Sequence, residues 1–146
     1  MRMIDLDQGT VQFIGEHRVA RLATADSSGK PLVIPICFVF AGGAFYTALD
    51  EKPKQVELSK MRRVRNIKAN PQVSLVIDDY VEDWSRLTYA LIDGRAEIVE
   101  PGCEEHGRAV VLLRDKYLQY VSMALEARPV IKIIPERVKR WPSNPE

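Results

Sequence analysis

The stretch YTALDEKPKQ, from Tyr46 to Gln55, brings a hydroxyl at Thr47 close in sequence to two ammonium groups at Lys52 and Lys54. Pro53 suits the first position of a helix, where its missing N–H costs nothing. A helix N-terminus carries partial positive charge and normally draws acidic side chains. Lysines placed there make sense around an anion, because free N–H groups already attract phosphate and cations add charge-assisted bonds. The basic run continues through Lys60, Arg62, Arg63, Arg65 and Lys68 against one acid, Glu57. The same lysines also read as solvated surface groups, the commonest fate of a lysine, and charge alone favours that reading slightly.

Other chemistry-bearing residues are sparser. In DDYVEDWSRL, Asp78 to Leu87, a tryptophan stands in a polar loop. Trp84 could stack on a planar ring or plug one end of the fold, and composition does not separate the two. Asp78, Asp79, Glu82 and Asp83 do not match a calcium loop and read as a solvated turn. The two histidines, His17 and His106, have no ligand partners at metal-binding spacing. Cys37 and Cys103 form no C-x-x-C, and Cys37 sits in an apolar run as a small hydrophobe. Walker loops, G-x-G-x-x-G and G-x-S-x-G are absent, which argues against P-loop chemistry and serine hydrolysis.

The elements that must hold these residues follow from periodicity. DLDQGTVQFIGEHR reads as a first helix capped by Asp5 or Asp7, with Val11, Phe13 and Ile14 apolar. Val19–Asp26, Leu32–Phe40 and the run after Gly43 read as three strands of an antiparallel meander, turned by SSGKP and AGG. Pro35 inside the second strand points to an edge or a bulge. From Pro53 to Ala69 the stripe Leu58, Met61, Val64, Ile67 predicts a helix, stopped by Asn70–Pro71. QVSLVIDDY is a strand, and TYALIDGRAEIVE another, bent at Gly94. A helical segment broken near Asp115 follows, and a last strand is interrupted by Pro135. Six short strands, mostly hairpin-connected, make a mainly β (α+β) fold: a small antiparallel barrel with flanking helices. Consecutive βαβ units are missing, which excludes a doubly wound nucleotide-binding fold.

At 146 residues the chain forms one domain, 1–146, with no internal repeat or interdomain linker. A net charge of +1 exerts no global pull on nucleic acid or acidic membranes, so any electrostatic preference is local. No apolar run reaches the ~20 residues of a membrane helix, and no signal peptide is evident, so a soluble cytoplasmic protein is expected.

Taken in order, RLATADSSGKPLVIPICFVFAGGAFYTALDEKPKQ, LSKMRRVRNIKANPQVSLVIDDYVEDWSRL, GRAEIV and ERVKRW resemble the pyridoxamine 5′-phosphate oxidase-like split β-barrel superfamily, and within it the branch of coenzyme F420-dependent enzymes. The resemblance spans Phe13 to Trp141. It implies a six-stranded split barrel and a homodimer with cofactor sites at the interface. It implies that Thr47, Lys52 and Lys54 hold the cofactor phosphate, and that Val33, Ile34, Pro35 and Ile36 pass along the ring, partly through backbone groups. Trp84 and Ser85 match a W-S pair near the cofactor, within reach of the partner subunit's site, and Arg62 and Asn66 fall in the helical part of the pattern. The chain departs from true pyridoxamine phosphate oxidases, since it lacks their arginine-rich substrate pattern and ends KRWPSNPE. Some relatives degrade haem, but neither histidine here is an obvious axial ligand.

Three functions remain open: a redox enzyme acting on a small organic substrate, a flavin-binding protein without turnover, and a nucleic-acid module built on the helix from Pro53. In the first, the cofactor ring performs hydride transfer and the protein supplies position and charge. The cofactor implied is coenzyme F420, with FMN as the alternative. The anionic tail of the deazaflavin suits Arg62, Arg63 and Arg65. A dimer is expected also because the apolar run LVIPICFVF and the tyrosines Tyr117 and Tyr120 need cover.

Overall fold

The computed structural model describes residues 4–49 and 61–142. Its elements are α1 (Gln8–Glu16), β1 (Ala20–Ala25), β2 (Pro31–Ile36), β3 (Val39–Ala41), β4 (Ala44–Ala48), α2 (Arg62–Ala69), β5 (Gln72–Asp79), β6 (Thr88–Val99), α3 (Glu104–Lys116) and β7 (Val130–Trp141). Short 3₁₀ turns lie at Trp84–Arg86 and Leu118–Ser122. All pairings are antiparallel, in one sheet of order β2-β1-β5-β6-β7-β4-β3. The mainly β, α+β barrel expected from the sequence is therefore the fold observed.

The strand count is seven rather than six. LVIPICFVF does not run as one strand but splits at Cys37–Phe38 into β2 and β3, and these are the two edges of the sheet. The meander expected from β1 onward breaks there too. Because so short a link joins opposite edges, the sheet must curl until they nearly meet. A chain spans at most ~3.3–3.6 Å per residue, so Ile36 and Val39 lie within ~11 Å. The seam is bridged by a phenol. Phe38 N–H donates to Tyr117 Oη (3.0 Å), and Tyr117 Oη–H is shared between the carbonyls of Phe38 (2.9 Å) and Arg18 (2.9 Å). Phe38 thereby satisfies its backbone without a ladder partner.

Local chemistry explains the rest. Asp7 caps α1, accepting from Thr10 N at 2.7 Å. Phe13 and Ile14 face the core as expected, while Val11 points to solvent. Asp26 organises the first turn, its Oδ1 accepting from Ser28 N, Ser28 Oγ and Lys30 N. The β3–β4 hairpin turns on Gly42 and Gly43, both at positive φ (59° and 83°), as a two-residue connection that follows the strand twist demands. Pro31 and Pro35 sit on edge strand β2, where a missing N–H breaks no interior ladder. Pro135 does not end β7. It stands opposite Gly94 where the β6–β7 register shifts, with Glu136 as the extra residue. A Cβ at Gly94 would lie 2.3 Å from Ile134 O, so only glycine admits this close approach.

Two apolar cores result. One fills the barrel, with Ile14, Leu22, Phe38, Phe45, Leu75, Ile77, Ile92, Ile131 and Ile133 among its members, closed by α2 through Val64 and Ile67. Of the expected stripe, Val64 and Ile67 are buried, Met61 is partly buried and Leu58 lies outside the described residues. The helix expected over Pro53 to Ala69 is not continuous, because Met61 has extended backbone (φ −65°, ψ 132°) and α2 starts only at Arg62. The other core lies between the outer face of the sheet and α3, and includes Val39, Tyr46, Leu113, Tyr117, Tyr120 and Val130. Tyr117 and Tyr120 are thus covered by their own chain rather than by a partner.

Candidate functional site

Side chains alternate along β4. Phe45 points into the barrel and Tyr46 toward α3, so Thr47 returns to the barrel side. Thr47 is 3% exposed. Thr47 leads directly into the segment that carries Lys52 and Lys54, which lie outside the described residues. When the chain returns as α2, its eight residues hold Arg62, Arg63, Arg65 and Lys68 and no acid.

The other sequence candidates divide by face. On β2, Val33 and Pro35 point outward, Val33 being 61% exposed, whereas Ile36 is buried and Ile34 packs against the barrel core. A flat ligand along this edge would meet Val33, Pro35 and backbone groups, not the side chains of Ile34 or Ile36. Arg62 is exposed. Asn66 is buried and turned inward, donating from Nδ2 to Thr24 Oγ1 at 3.0 Å, which ties α2 to β1.

Trp84 is 70% exposed and donates from Nε1 to Tyr80 Oη at 3.2 Å, so it does not plug the barrel. The Ser85 hydroxyl donates to Asp83 Oδ1 at 2.6 Å, and these hydrogen bonds hold the Asp83 carboxyl below its usual range. The position of this loop matters more than its contacts. It precedes Thr88 at one end of β6, whereas Thr47 pairs with Ile131, which pairs with Ile98 near the other end. At ~3.3 Å per residue, the stretch between Thr88 and Ile98 spans about 30 Å. One chain does not bring Trp84 and Thr47 to the same ligand.

Both histidines are engaged. His17 contacts Phe13 O through Nδ1 (2.6 Å) and Asp79 Oδ1 through Nε2 (2.8 Å), and buried His106 contacts Arg128 O through Nε2 (2.6 Å). Among the described residues no group of three or more His, Cys, Asp or Glu could hold a metal.

Sequence reasoning passed over the outer sheet face. The row Pro35, Arg21, Val76, Leu91, Lys139 crosses β2, β1, β5, β6 and β7, with Tyr89 and Trp141 beside it. Val33, Leu91 and Trp141 expose apolar surface there, and the Arg21–Asp78 pair (3.3 Å) sits among them. Alternation within each strand could have flagged it, but the register that assembles the row is not local.

The family model described as pyridoxamine 5′-phosphate oxidase matches residues 6–142. The chain belongs to this family. Among solved structures, a conserved hypothetical protein from Mycobacterium tuberculosis superposes with a TM-score of 0.76 at 20% identity, covering 95% of this chain and 86% of that one. HutZ, a heme storage protein from Vibrio cholerae, gives 0.72 at 19%, covering 93% and 94%. An F420 reductase gives 0.64 at 23%, covering 92% and 98%. At these identities the likeness is one of fold. No curated protein matches the chain. Among the described residues no helix is long and apolar enough to cross a membrane.

Proposed function

We propose that this family member is an oxidoreductase that binds coenzyme F420 and acts on a small organic substrate. The observation that carries the reading is the placement of Thr47: a buried threonine on the barrel side of β4 that leads directly into the segment bearing Lys52 and Lys54, with the acid-free basic helix α2 after it. That donor set fits a phosphate, with Thr47 giving a neutral bond and the lysines charge-assisted ones. Arg62 and Arg65, exposed on α2, suit a cofactor whose anionic tail extends past the phosphate. This favours the deazaflavin over FMN, the alternative the family also supports. The cofactor, when bound, supplies hydride chemistry, while the chain positions it and excludes water.

The site belongs to a homodimer in this reading. The uncovered outer sheet face offers the apolar surface for a second copy, and the separation of Trp84 from Thr47 means that Trp84 serves the partner's cofactor. Storage or degradation of haem is not adopted, because both histidines already spend ring nitrogens on the fold.

The test is a fluorescence titration with F420 and with FMN. Lys52→Ala and Lys54→Ala should each weaken F420 about 10- to 100-fold, the value of one charge-assisted bond. Thr47→Val should cost less. If the parent binds neither cofactor at tens of micromolar, or both lysine variants bind as the parent does, the reading fails. A monomer by light scattering at micromolar concentration removes the shared site.

A further inference from the structure

Adjacent residues of β4 face opposite ways, so a cavity beside Tyr46 lies on the side of the sheet away from Thr47. Tyr46, Lys132 and Glu97 are register partners across β4, β7 and β6 and form a polar row on the outer side of the sheet. The first turn of α3 lowers Glu105 onto this row. Tyr46 Oη–H donates to Glu105 Oε2 at 2.7 Å, and Lys132 Nζ donates to the same oxygen at 2.6 Å, with Glu97 3.9 Å from the ammonium. The Lys132 side chain is only 19% exposed, an unusual depth for a mid-strand lysine. Beside this cluster is a cavity of about 330 Å³, walled by Tyr46, Glu105, Lys132 and Arg108 and floored by Ala109 and Leu112. The hairpin glycine Gly42 stands at its rim. The volume falls at the lower end of small-molecule sites, ~300–1,000 Å³.

The charges identify what would enter. Glu105 and Lys132 neutralise each other. The hydrogen bonds from Lys132 and Tyr46 hold the Glu105 carboxyl below its usual range, so it stays ionised. Glu97 is largely in solvent and does not line the cavity. Arg108 is exposed and close enough to Glu105 to help lower its carboxyl, yet no ion pair within 4 Å is formed by it among the described residues, so the wall carries two cations against the single carboxylate of Glu105. A guanidinium presents parallel N–H donors matched to a carboxylate, and the Ala109–Leu112 floor is matched to an apolar body.

We infer that the cavity between α3 and the outer face of β4 and β7 is a binding site for a small organic carboxylate, held by Arg108 and seated on Ala109 and Leu112. It is separate from the cofactor site proposed above and does not depend on it.

Amide NMR of the chain without added cofactor tests it, with benzoate as the probe and the neutral isostere benzamide as control. Benzoate should give saturable shifts at Gly42, Arg108 and Ala109 in the millimolar range or below, and benzamide should bind at least ~10-fold more weakly. Arg108→Gln, an exposed position whose melting temperature should match the parent, should weaken benzoate about 10- to 100-fold. Shifts that never saturate, equal binding of benzamide, or unchanged benzoate affinity in a folded Arg108→Gln protein would each overturn the assignment.

Discussion

The barrel interior and the layer beneath α3 are both buried, yet they are built on different principles. The barrel is packed mainly with aliphatic and phenyl groups, and its few polar side chains include the Asn66–Thr24 pair under α2 and Thr47. Under α3 the apolar side chains share the space with anchored polar ones: Tyr117 at the seam, Tyr46 on Glu105, and His106 on Arg128 O. The first core supplies driving force without direction. The second fixes where the helix sits and how the two sheet edges are held, because hydrogen bonds demand a geometry that apolar contact does not.

The contrast can be broken most severely from the barrel side. Phe45 is fully buried, with ring centroids 5.8 Å from Phe38 and 4.8 Å from Phe40. Phe45→Ala should cost about 3–5 kcal/mol in a urea melt, the usual transfer and cavity cost of a buried phenyl. A loss near 1 kcal/mol would mean that the interior collapses freely and is not close-packed.

Tyr117→Phe is the matched test of the other core. It keeps the ring but removes the oxygen that serves Phe38 N–H, Phe38 C=O and Arg18 C=O. Leaving buried backbone groups unpaired costs about 1–3 kcal/mol. The distinguishing readout is hydrogen exchange, which should quicken at Phe38 and its neighbours and not in β5 or β6. Uniform loss of protection would show that the seam has no special dependence on the phenol.

Lys116 gives a smaller, pH-dependent effect. Its ammonium lies 4.0 Å above the Phe38 ring; burial first, then Arg18, lowers its pKa to about 8. The unfolded chain holds that proton until about 10.4. Between these values the unfolded state binds more protons, so stability should rise as pH increases from about 8 to 10. Lys116→Met should flatten that rise and leave the protein slightly more stable at pH 7. A steeper rise in the variant would refute the assignment.

Glu105 should have the slightest effect. Its depressed carboxyl contributes stability above the unfolded carboxylate value, and that contribution is lost as pH falls through the lower folded one. Glu105→Gln should therefore soften the acid limb of the pH–stability curve. Because about a third of the side chain is in solvent, which screens the ion pair, the change should be small in thermal melts. An unchanged acid limb would mean that Lys132 finds another partner.

What the sequence determined by itself is the part of the molecule whose causes are local. Asp7 capping α1, the SSGKP and AGG turns, and the buried Val64 and Ile67 of α2 each follow from residues a few positions apart. The barrel class follows from their order. The run of basic residues that follows Thr47 in the chain is likewise legible, because a charge pattern survives without coordinates. Three things needed the tertiary structure. LVIPICFVF is apolar throughout, and nothing in that run marks Cys37–Phe38 as the point where the chain leaves one sheet edge for the other; a phenol 79 positions away decides it. Asn66 and Arg62 look equally polar on α2, and only packing turns one inward and leaves the other in solvent. The distance between Trp84 and Thr47, and the meeting of Tyr46, Lys132 and Glu105, depend on strand register. A slip of one residue would turn each strand's side chains to the opposite face, so register is settled by the assembled sheet and not by any single strand.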